Sequence, residues 1–97
     1  MATTEKAKYS VFRANSFLKD TNILEKRGYE LKLLDEIVEI LAKKEKLPQK
    51  HKDHALKGKL KDFRECHILP DWLLIYRIDK ENLVLVLSRT GTHNDVL

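Results

Sequence analysis

The sequence predicts an α+β fold in which an antiparallel sheet is covered on one face by two helices. Three observations support this: apolar residues recur at helical spacing between positions 14 and 44, three strand-like runs follow, and one short strand-like run precedes both. The chain has 97 residues, of which 42% are hydrophobic and 35% charged. This length and composition are typical of one globular unit, so residues 1–97 are expected to form a single domain.

The first three predicted elements are a strand and two helices. The run from Lys8 to Phe12 is rich in aromatic and β-branched residues, which favour a strand. Helical spacing then continues up to Gly28, where a glycine can end a helix. A second amphipathic pattern from Tyr29 to about Lys44 predicts another helix. The two helices are expected to form a hairpin that packs one apolar stripe against the sheet.

The second half of the chain predicts a surface segment followed by three strands. Pro48 ends the helical region, because the residue before a proline is disfavoured in a helix. Residues 46–60 lack a sustained period and are expected to form a long, mostly irregular surface segment. An antiparallel meander completes the order β-α-α-β-β-β, and its middle run, apolar on both faces, is expected to be central. The three predicted strands are 62–69, 72–79 and 83–90.

The basic residues are concentrated in one part of the chain. Residues 43–64 carry nine Lys or Arg and three Asp or Glu, whereas residues 1–42 carry seven of each. Such clustering is typical of a surface that contacts phosphates, and the alternative is a solvated loop. The lysines expected to contact a phosphate backbone are Lys50, Lys52, Lys57, Lys59 and Lys61.

Several classes of protein are disfavoured by the sequence. The longest apolar run, Trp72 to Tyr76, is far shorter than a membrane span, and the N-terminus lacks the apolar segment of a signal peptide. A cytoplasmic protein without a membrane partner is therefore expected. The single cysteine, Cys66, has no partner for an internal disulfide and is expected to be a core residue. No metal-binding motif accompanies the histidines, so no metal and no other cofactor is expected.

A few polar and aromatic residues are candidates for chemistry. An imidazole donates or accepts a proton near neutral pH, although each histidine has a structural role as its alternative. Trp72 opens the central strand, where its ring either packs in the core or stacks on a base. Arg89 ends the last strand, where it either binds a phosphate or pairs with a surface carboxylate. The histidines are His51, His54, His67 and His93.

Three segments of the chain resemble the YafQ-type toxins of the RelE superfamily. They are KDHALKG at 52–58, FRECHILPDWLLIYRI at 63–78 and SRTGTH at 88–93, in the order and at the spacing of that family. The resemblance implies the RelE-like fold, a sheet flanked on one side by two helices, in agreement with the order of elements above. It also implies a ribosome-dependent mRNA endoribonuclease from a bacterial toxin–antitoxin pair. The implied partners are a cognate antitoxin, the ribosome with its rRNA, and mRNA.

The resemblance also implies the residues of the site and their chemistry. In this family the ribose 2′-OH attacks the adjacent phosphate without a metal and gives a 2′,3′-cyclic phosphate and a free 5′-OH. His93 is the implied general acid and Arg89 the implied phosphate clamp. The implied base, or the residue that orients it, is one of three whose order the sequence leaves open. The matching positions are His54, His67, Asp71, Trp72, Arg89 and His93.

Two other functions remain open from the sequence. A non-catalytic RNA-binding or ribosome-binding module needs the basic segment and Trp72 but no acid–base pair. An inactive toxin homologue that acts through protein–protein interaction needs only the helical hairpin and the sheet edges. Members of the family often end in an aromatic residue, whereas this chain ends at Leu97.

Overall fold

The computed structural model describes residues 8–96, within which it has five strands and three α-helices. The α+β class and the predicted order of the six main elements are confirmed. The strands are β1 (Ser10–Arg13), β2 (His54–Ala55), β3 (Arg64–Leu69), β4 (Trp72–Asp79) and β5 (Val84–Gly91). The helices are α1 (Asn15–Lys26), α2 (Leu31–Ala42) and α3 (His93–Val96). Leu97 lies outside the described residues, and no helix within residues 8–96 is long and apolar enough to span a membrane.

The strands form one mixed sheet in the order β1-β5-β4-β3-β2. The strand β4 is central and its residues Trp72–Tyr76 are all buried, which confirms the interpretation of the doubly apolar run. The pairs β2–β3, β3–β4 and β4–β5 are antiparallel, but β1 pairs in parallel with β5. The prediction of an entirely antiparallel sheet is wrong at this edge, because alternation of apolar residues specifies a strand's buried face and not its direction.

The core lies between the helical hairpin and one face of the sheet. The hairpin turns at Gly28, whose φ of +85° lies in the left-handed region that glycine adopts without a steric penalty. Cys66 is fully buried in this core, and burial raises the pKa of its thiol, as expected of a structural cysteine. The buried apolar residues of the core include Phe17, Leu24, Leu34, Ile37, Leu41, Cys66, Ile68, Trp72, Leu74, Tyr76, Leu85 and Leu87.

The segment 46–60 is more ordered than the sequence predicts. It contains two 3-10 turns and the two-residue strand β2, which extends the sheet beyond β3. Asp53 fixes this segment to the sheet, since its Oδ1 accepts hydrogen bonds from the Tyr76 hydroxyl at 2.6 Å and from Arg64 Nε at 3.3 Å. The neighbouring His54 is therefore held at a defined place beside β3.

Candidate active site

The candidate site lies on the open face of the sheet, by which we mean the face away from α1 and α2. Cys66 belongs to the core on the helical side, and neighbouring residues of a strand point to opposite faces. Glu65 and His67 therefore point to the open face. In the sheet register Glu65 lies opposite Ile75 of β4, and His67 lies opposite Leu73.

Asp71 and His93 form a hydrogen-bonded pair at one end of this face. Asp71 lies in the turn between β3 and β4, and His93 is the first residue of α3. The His93 Nδ1 atom is 2.6 Å from Asp71 Oδ1, and the backbone N–H of His93 donates to the same oxygen at 3.2 Å. The side-chain hydrogen bond from His93 lowers the pKa of Asp71, so the carboxylate is charged at neutral pH and Nδ1 is the donor. Nε2 is then the ring nitrogen that can exchange a proton with bound RNA.

The short helix α3 gives His93 its position. The Thr92 hydroxyl accepts a hydrogen bond from the Asp95 backbone N–H at 3.3 Å, while Asp95 Oδ2 accepts one from the Thr92 backbone N–H at 2.9 Å. This reciprocal arrangement is a capping box. Gly91 precedes it with a φ of +155°, and a Cβ atom built there would lie 2.8 Å from the Asp95 side chain. The RTGTH segment therefore needs a glycine at this point for α3 to pack closely on the end of β5.

Glu65 lies between two of the predicted catalytic histidines. Its Oε1 atom is 3.6 Å from Nε2 of His54 and 3.6 Å from Nε2 of His67. The Nδ1 atoms of the two rings face the backbone carbonyls of Lys52 and Pro70, at 2.6 and 3.2 Å. A carbonyl oxygen only accepts, so both Nδ1 atoms carry hydrogen and both Nε2 atoms are the basic nitrogens. Glu65 thus lies beside the basic nitrogen of both rings.

Sequence reasoning missed Glu65, although the sequence does contain a signal for it. Its side chain is only 7% exposed, which is unusual for a carboxylate and calls for a charged partner. Glu65 and His67 alternate with buried Cys66 in a strand, so the pattern places both on one face. His51, which the sequence analysis leaves without a role, has its Nδ1 atom 2.7 Å from the His67 carbonyl oxygen and so ties the preceding turn to β3.

Arg89 lies close to these groups but is already paired. Its Nε and Nη2 atoms donate to the two carboxylate oxygens of Asp20 at 2.7 and 3.2 Å, and Nη2 also donates to the Asp95 carbonyl at 3.0 Å. The hydrogen bonds that Arg89 donates to the Asp20 carboxylate raise the pKa of Arg89. A guanidinium has five N–H groups, so these three bonds leave the two on Nη1 for a phosphate. Asp20, itself nearly buried, thus orients the predicted clamp.

The structure corrects the predicted RNA contact of Trp72. The residue is 1% exposed, and its indole N–H donates to Thr90 Oγ1 at 2.9 Å. Tyr29 packs edge-on against the ring, with 5.1 Å between ring centroids. A ring enclosed in this way cannot stack on a base, so Trp72 has the core role. Tyr29 lies between α1 and α2, far from the motif in sequence, so the motif alone does not reveal this contact.

The predicted lysines lie within the basic segment, residues 43–64, and are accessible to a phosphate backbone. Lys50 and Lys52 line a cleft of about 470 Å³ between α2 and the end of β3, together with His51 and His67. The other three lie at or beside the 3-10 turn Gly58–Leu60. The exposed lysines are Lys50, Lys52, Lys57, Lys59 and Lys61.

The site therefore brings four of the predicted residues into two neighbouring groups. Asp71 and His93 form the first group, and His54 and His67 share Glu65 in the second. The rings of His67 and His93 join the groups, with 5.7 Å between their centroids. Within residues 8–96 there is no cluster of three or more His, Cys, Asp or Glu side chains suited to hold a metal ion.

Comparison with known proteins identifies the family. A family model described as the bacterial toxin of a type II toxin–antitoxin system, YafQ, matches residues 9–97. The chain belongs to the YafQ family. The resemblance seen in the three motif segments is thereby confirmed.

Relatives in this family share most of their length with the chain. The mRNA interferase toxin YafQ of Escherichia coli strain K12 is 35% identical over 81 residues, which cover 82% of this chain and 86% of that protein. A metal-bound toxin from Helicobacter pylori is 47% identical, with a TM-score of 0.87 over 92% of this chain and 99% of its own. YafQ in the E. coli DinJ–YafQ toxin–antitoxin complex is 31% identical, with a TM-score of 0.83 over 93% of this chain and 98% of its own.

Proposed function

We propose that this chain is a ribosome-dependent mRNA endoribonuclease that cleaves RNA by metal-independent acid–base catalysis in the cytoplasm. It belongs to a family of mRNA interferase toxins and is accordingly an endoribonuclease. The observation that carries the mechanism is the Asp71–His93 pair at 2.6 Å with the His67 ring beside it. An oriented histidine next to a second histidine supplies an acid and a base to one phosphate.

The reaction needs three contributions from the protein. A base removes the proton of the ribose 2′-OH as the bond from O2′ to phosphorus forms. An acid gives a proton to O5′ as the bond from phosphorus to O5′ breaks, which leaves a 2′,3′-cyclic phosphate and a free 5′-OH. A cation stabilises the additional negative charge that develops on the phosphate oxygens. No metal, redox partner or external nucleophile enters this balance.

His93 is the general acid in this proposal, and Asp71 orients it. The carboxylate holds Nδ1–H and stabilises the imidazolium, so that Nε2 carries the proton delivered to O5′. This engagement makes Asp71 an orienting residue and leaves His54 and His67 as candidates for the base. We assign His67, because its ring is 5.7 Å from that of His93 and one phosphate can reach both. Glu65 is then a positioning residue that supports the base.

The remaining predicted residues bind RNA. Arg89 offers Nη1 to the scissile phosphate while Asp20 holds the other side of its guanidinium. The five exposed lysines contact the rRNA and mRNA backbones, a role that gives affinity and little sequence specificity. YafQ of E. coli forms a complex with DinJ, and a cognate antitoxin is the corresponding partner of this chain.

Expression in bacteria tests the proposal directly. Growth should stop when the chain is expressed alone and should recover when its antitoxin is coexpressed. A variant that combines His93→Ala with Arg89→Ala should accumulate without stopping growth. Equal growth arrest by this variant would contradict the proposal.

Purified components test the metal and the reaction type. Toxin that has been stripped of metal with EDTA and returned to a buffer containing Mg²⁺, which the ribosome itself requires, should cleave ribosome-bound mRNA at the rate of untreated toxin, and the 3′ ends should carry cyclic phosphate. Loss of activity on stripping that returns only when a transition-metal ion such as Zn²⁺ is added would contradict the metal-independent mechanism. Ribosome binding without any cleavage would support the non-catalytic alternative.

A further inference from the structure

Phe12 is an exposed aromatic side chain on the open face of the sheet. The chain has three Phe, three Tyr and one Trp, all within the described residues, and Phe12 alone is exposed, at 57%. Its neighbour Val11 packs against the core, so Phe12 points away from the helices. A single exposed apolar side chain is ordinary on a protein surface, so the residues beside Phe12 decide whether it belongs to a binding site.

Phe12 is the end of a row of three side chains that crosses the sheet. In the register Phe12 lies opposite Val86 of β5, and Val86 lies opposite Arg77 of β4. Val86 stands between Leu85 and Leu87, which are both buried in the core, so Val86 faces the open side. We call Phe12, Val86 and Arg77 the outer row.

The outer row continues the surface that holds the candidate catalytic residues. Ile75, two residues before Arg77 on β4, lies opposite Arg89, and Leu73 lies opposite His67. At a rise of about 3.4 Å per strand residue, the outer row is roughly 7 Å from the Arg89 position and roughly 14 Å from the His67 position along β4. A single RNA strand bound at the catalytic histidines reaches the outer row within a few nucleotides.

We propose that the outer row is an RNA-binding subsite, in which Phe12 stacks on a base and Arg77 contacts a phosphate of the cleaved mRNA. The inference rests on the proposed function, because it places the same strand across both sites. An aromatic face binds any base by stacking, and a guanidinium beside it neutralises the backbone charge. The positive charge of Arg77 in the same row favours a polyanion as the occupant over an uncharged protein segment.

The subsite should change substrate affinity and not the chemical step, because no group in the outer row reaches the reacting atoms. Phe12→Leu keeps an apolar side chain and removes the stacking face. It should raise KM for ribosome-bound mRNA by roughly 5-fold or more, the effect of losing one stacked base, with kcat within about twofold of wild type. Phe12→Trp should keep the wild-type KM. Arg77→Gln should raise KM and weaken its dependence on salt.

A matched control and a modified substrate locate the contact. Leu18→Ala alters a comparably exposed apolar residue, 46% exposed, on α1 at the helical side of the sheet, and should leave KM unchanged. Single abasic nucleotides are introduced along the mRNA, one position at a time. The KM values of wild type and Phe12→Leu should become equal when the abasic nucleotide occupies one position near the cleavage point, and should differ at every other position.

The outcomes separate this inference from the proposed function. No cleavage by the wild-type chain would overturn the proposed function and this subsite with it. Cleavage with the same KM in wild type, Phe12→Leu and Leu18→Ala would overturn the subsite alone. Unchanged cleavage with weaker antitoxin binding by Phe12→Leu would assign the outer row to a protein partner.

Discussion

His93 is placed for chemistry by contacts that contribute little to the core. Its side chain is 49% exposed, and its ring is held by Asp71 through one hydrogen bond. We therefore expect His93→Gln to keep the thermal midpoint within a few degrees and to reduce cleavage of ribosome-bound mRNA by about 10²-fold or more. Calorimetry and a single-turnover assay test the two parts. Cleavage near the wild-type rate would remove His93 from the role of acid.

Asp71 should link cleavage and acid stability through its charge. The hydrogen bond from His93 lowers the pKa of Asp71 in the folded chain, so its ionised form contributes stability above the unfolded pKa. That contribution is lost as the pH falls through the lowered folded pKa. The unfolding free energy of Asp71→Asn should therefore be lower than that of wild type at neutral pH, and the two should become equal in strong acid. At neutral pH the variant should also cleave at least ~10-fold more slowly.

A second aspartate provides the control for this experiment. The pKa of Asp79 is also lowered, by its hydrogen bonds from Asn82, but Asp79 lies at the other end of β4. In urea unfolding, Asp79→Asn should also be less stable than wild type at neutral pH and equal to it in strong acid. Its cleavage rate should be unchanged. Slower cleavage by both variants would point to a loss of folded protein and not to the orienting role of Asp71.

The sequence predicted individual site residues only where a local motif carries them. Asp71 and His93 were implied by the family's motif segments, and the structure places them in contact. Glu65 was missed because a charged residue in a short strand is usually a solvated one. The burial of Trp72 is not visible in the local sequence, because its ring packs against Tyr29, more than forty positions earlier in the chain. Such enclosure is a property of tertiary packing and leaves no local pattern.

At the scale of elements, the connection between the basic segment and the sheet is a testable feature. The Tyr76 hydroxyl donates to Asp53 at 2.6 Å, next to His54. Tyr76→Phe leaves the carboxylate without its shortest hydrogen bond and should cost about 1–3 kcal/mol of unfolding free energy. Cleavage should fall as well if the position of His54 depends on this anchor. Urea unfolding and the cleavage assay measure both effects.

Tyr9→Phe is the matched control, since it removes a hydroxyl beside β1, at the opposite edge of the sheet from β2 and His54. It should leave cleavage unchanged. A similar loss of cleavage in both variants would show that the effect of Tyr76→Phe does not arise from the anchor.

Periodicity predicted the long elements and failed on two short pairings. The helix α2 buries one set of side chains at helical spacing, and β4 contains a continuous apolar run, so both patterns are visible in the sequence. The strand β2 has two residues, too few for any period. The parallel pairing of β1 with β5 joins Ser10 to Val84 across most of the chain. Pairing over such a distance depends on the path of the whole intervening chain, from α1 to β4, and not on the strands themselves.

At the scale of the whole molecule, the basic segment and the candidate catalytic residues occupy adjoining surfaces. The basic segment contains β2, which pairs with β3. His54 of this segment and His67 of β3 both lie beside Glu65. RNA held by the lysines would thus be delivered to the histidines. The clustering of charge was predictable because it is a property of composition along the chain, whereas its place beside the site required the fold.

The lysines should act on affinity and leave the chemical step unchanged. If four of them contact phosphates, their replacement by Gln should weaken ribosome binding and reduce the slope of log affinity against log salt by roughly 0.7–0.9 per lost contact, because each contact releases a condensed counterion. The four are Lys50, Lys52, Lys57 and Lys59. A control with the same loss of charge uses exposed lysines outside the basic segment, namely Lys19, Lys26, Lys32 and Lys80. A steep salt slope kept by the first variant would show that these four lysines contact no phosphate and would reduce the basic segment to a solvated loop. An equal loss of slope in the control variant would show that net charge, and not the basic segment, accounts for the binding.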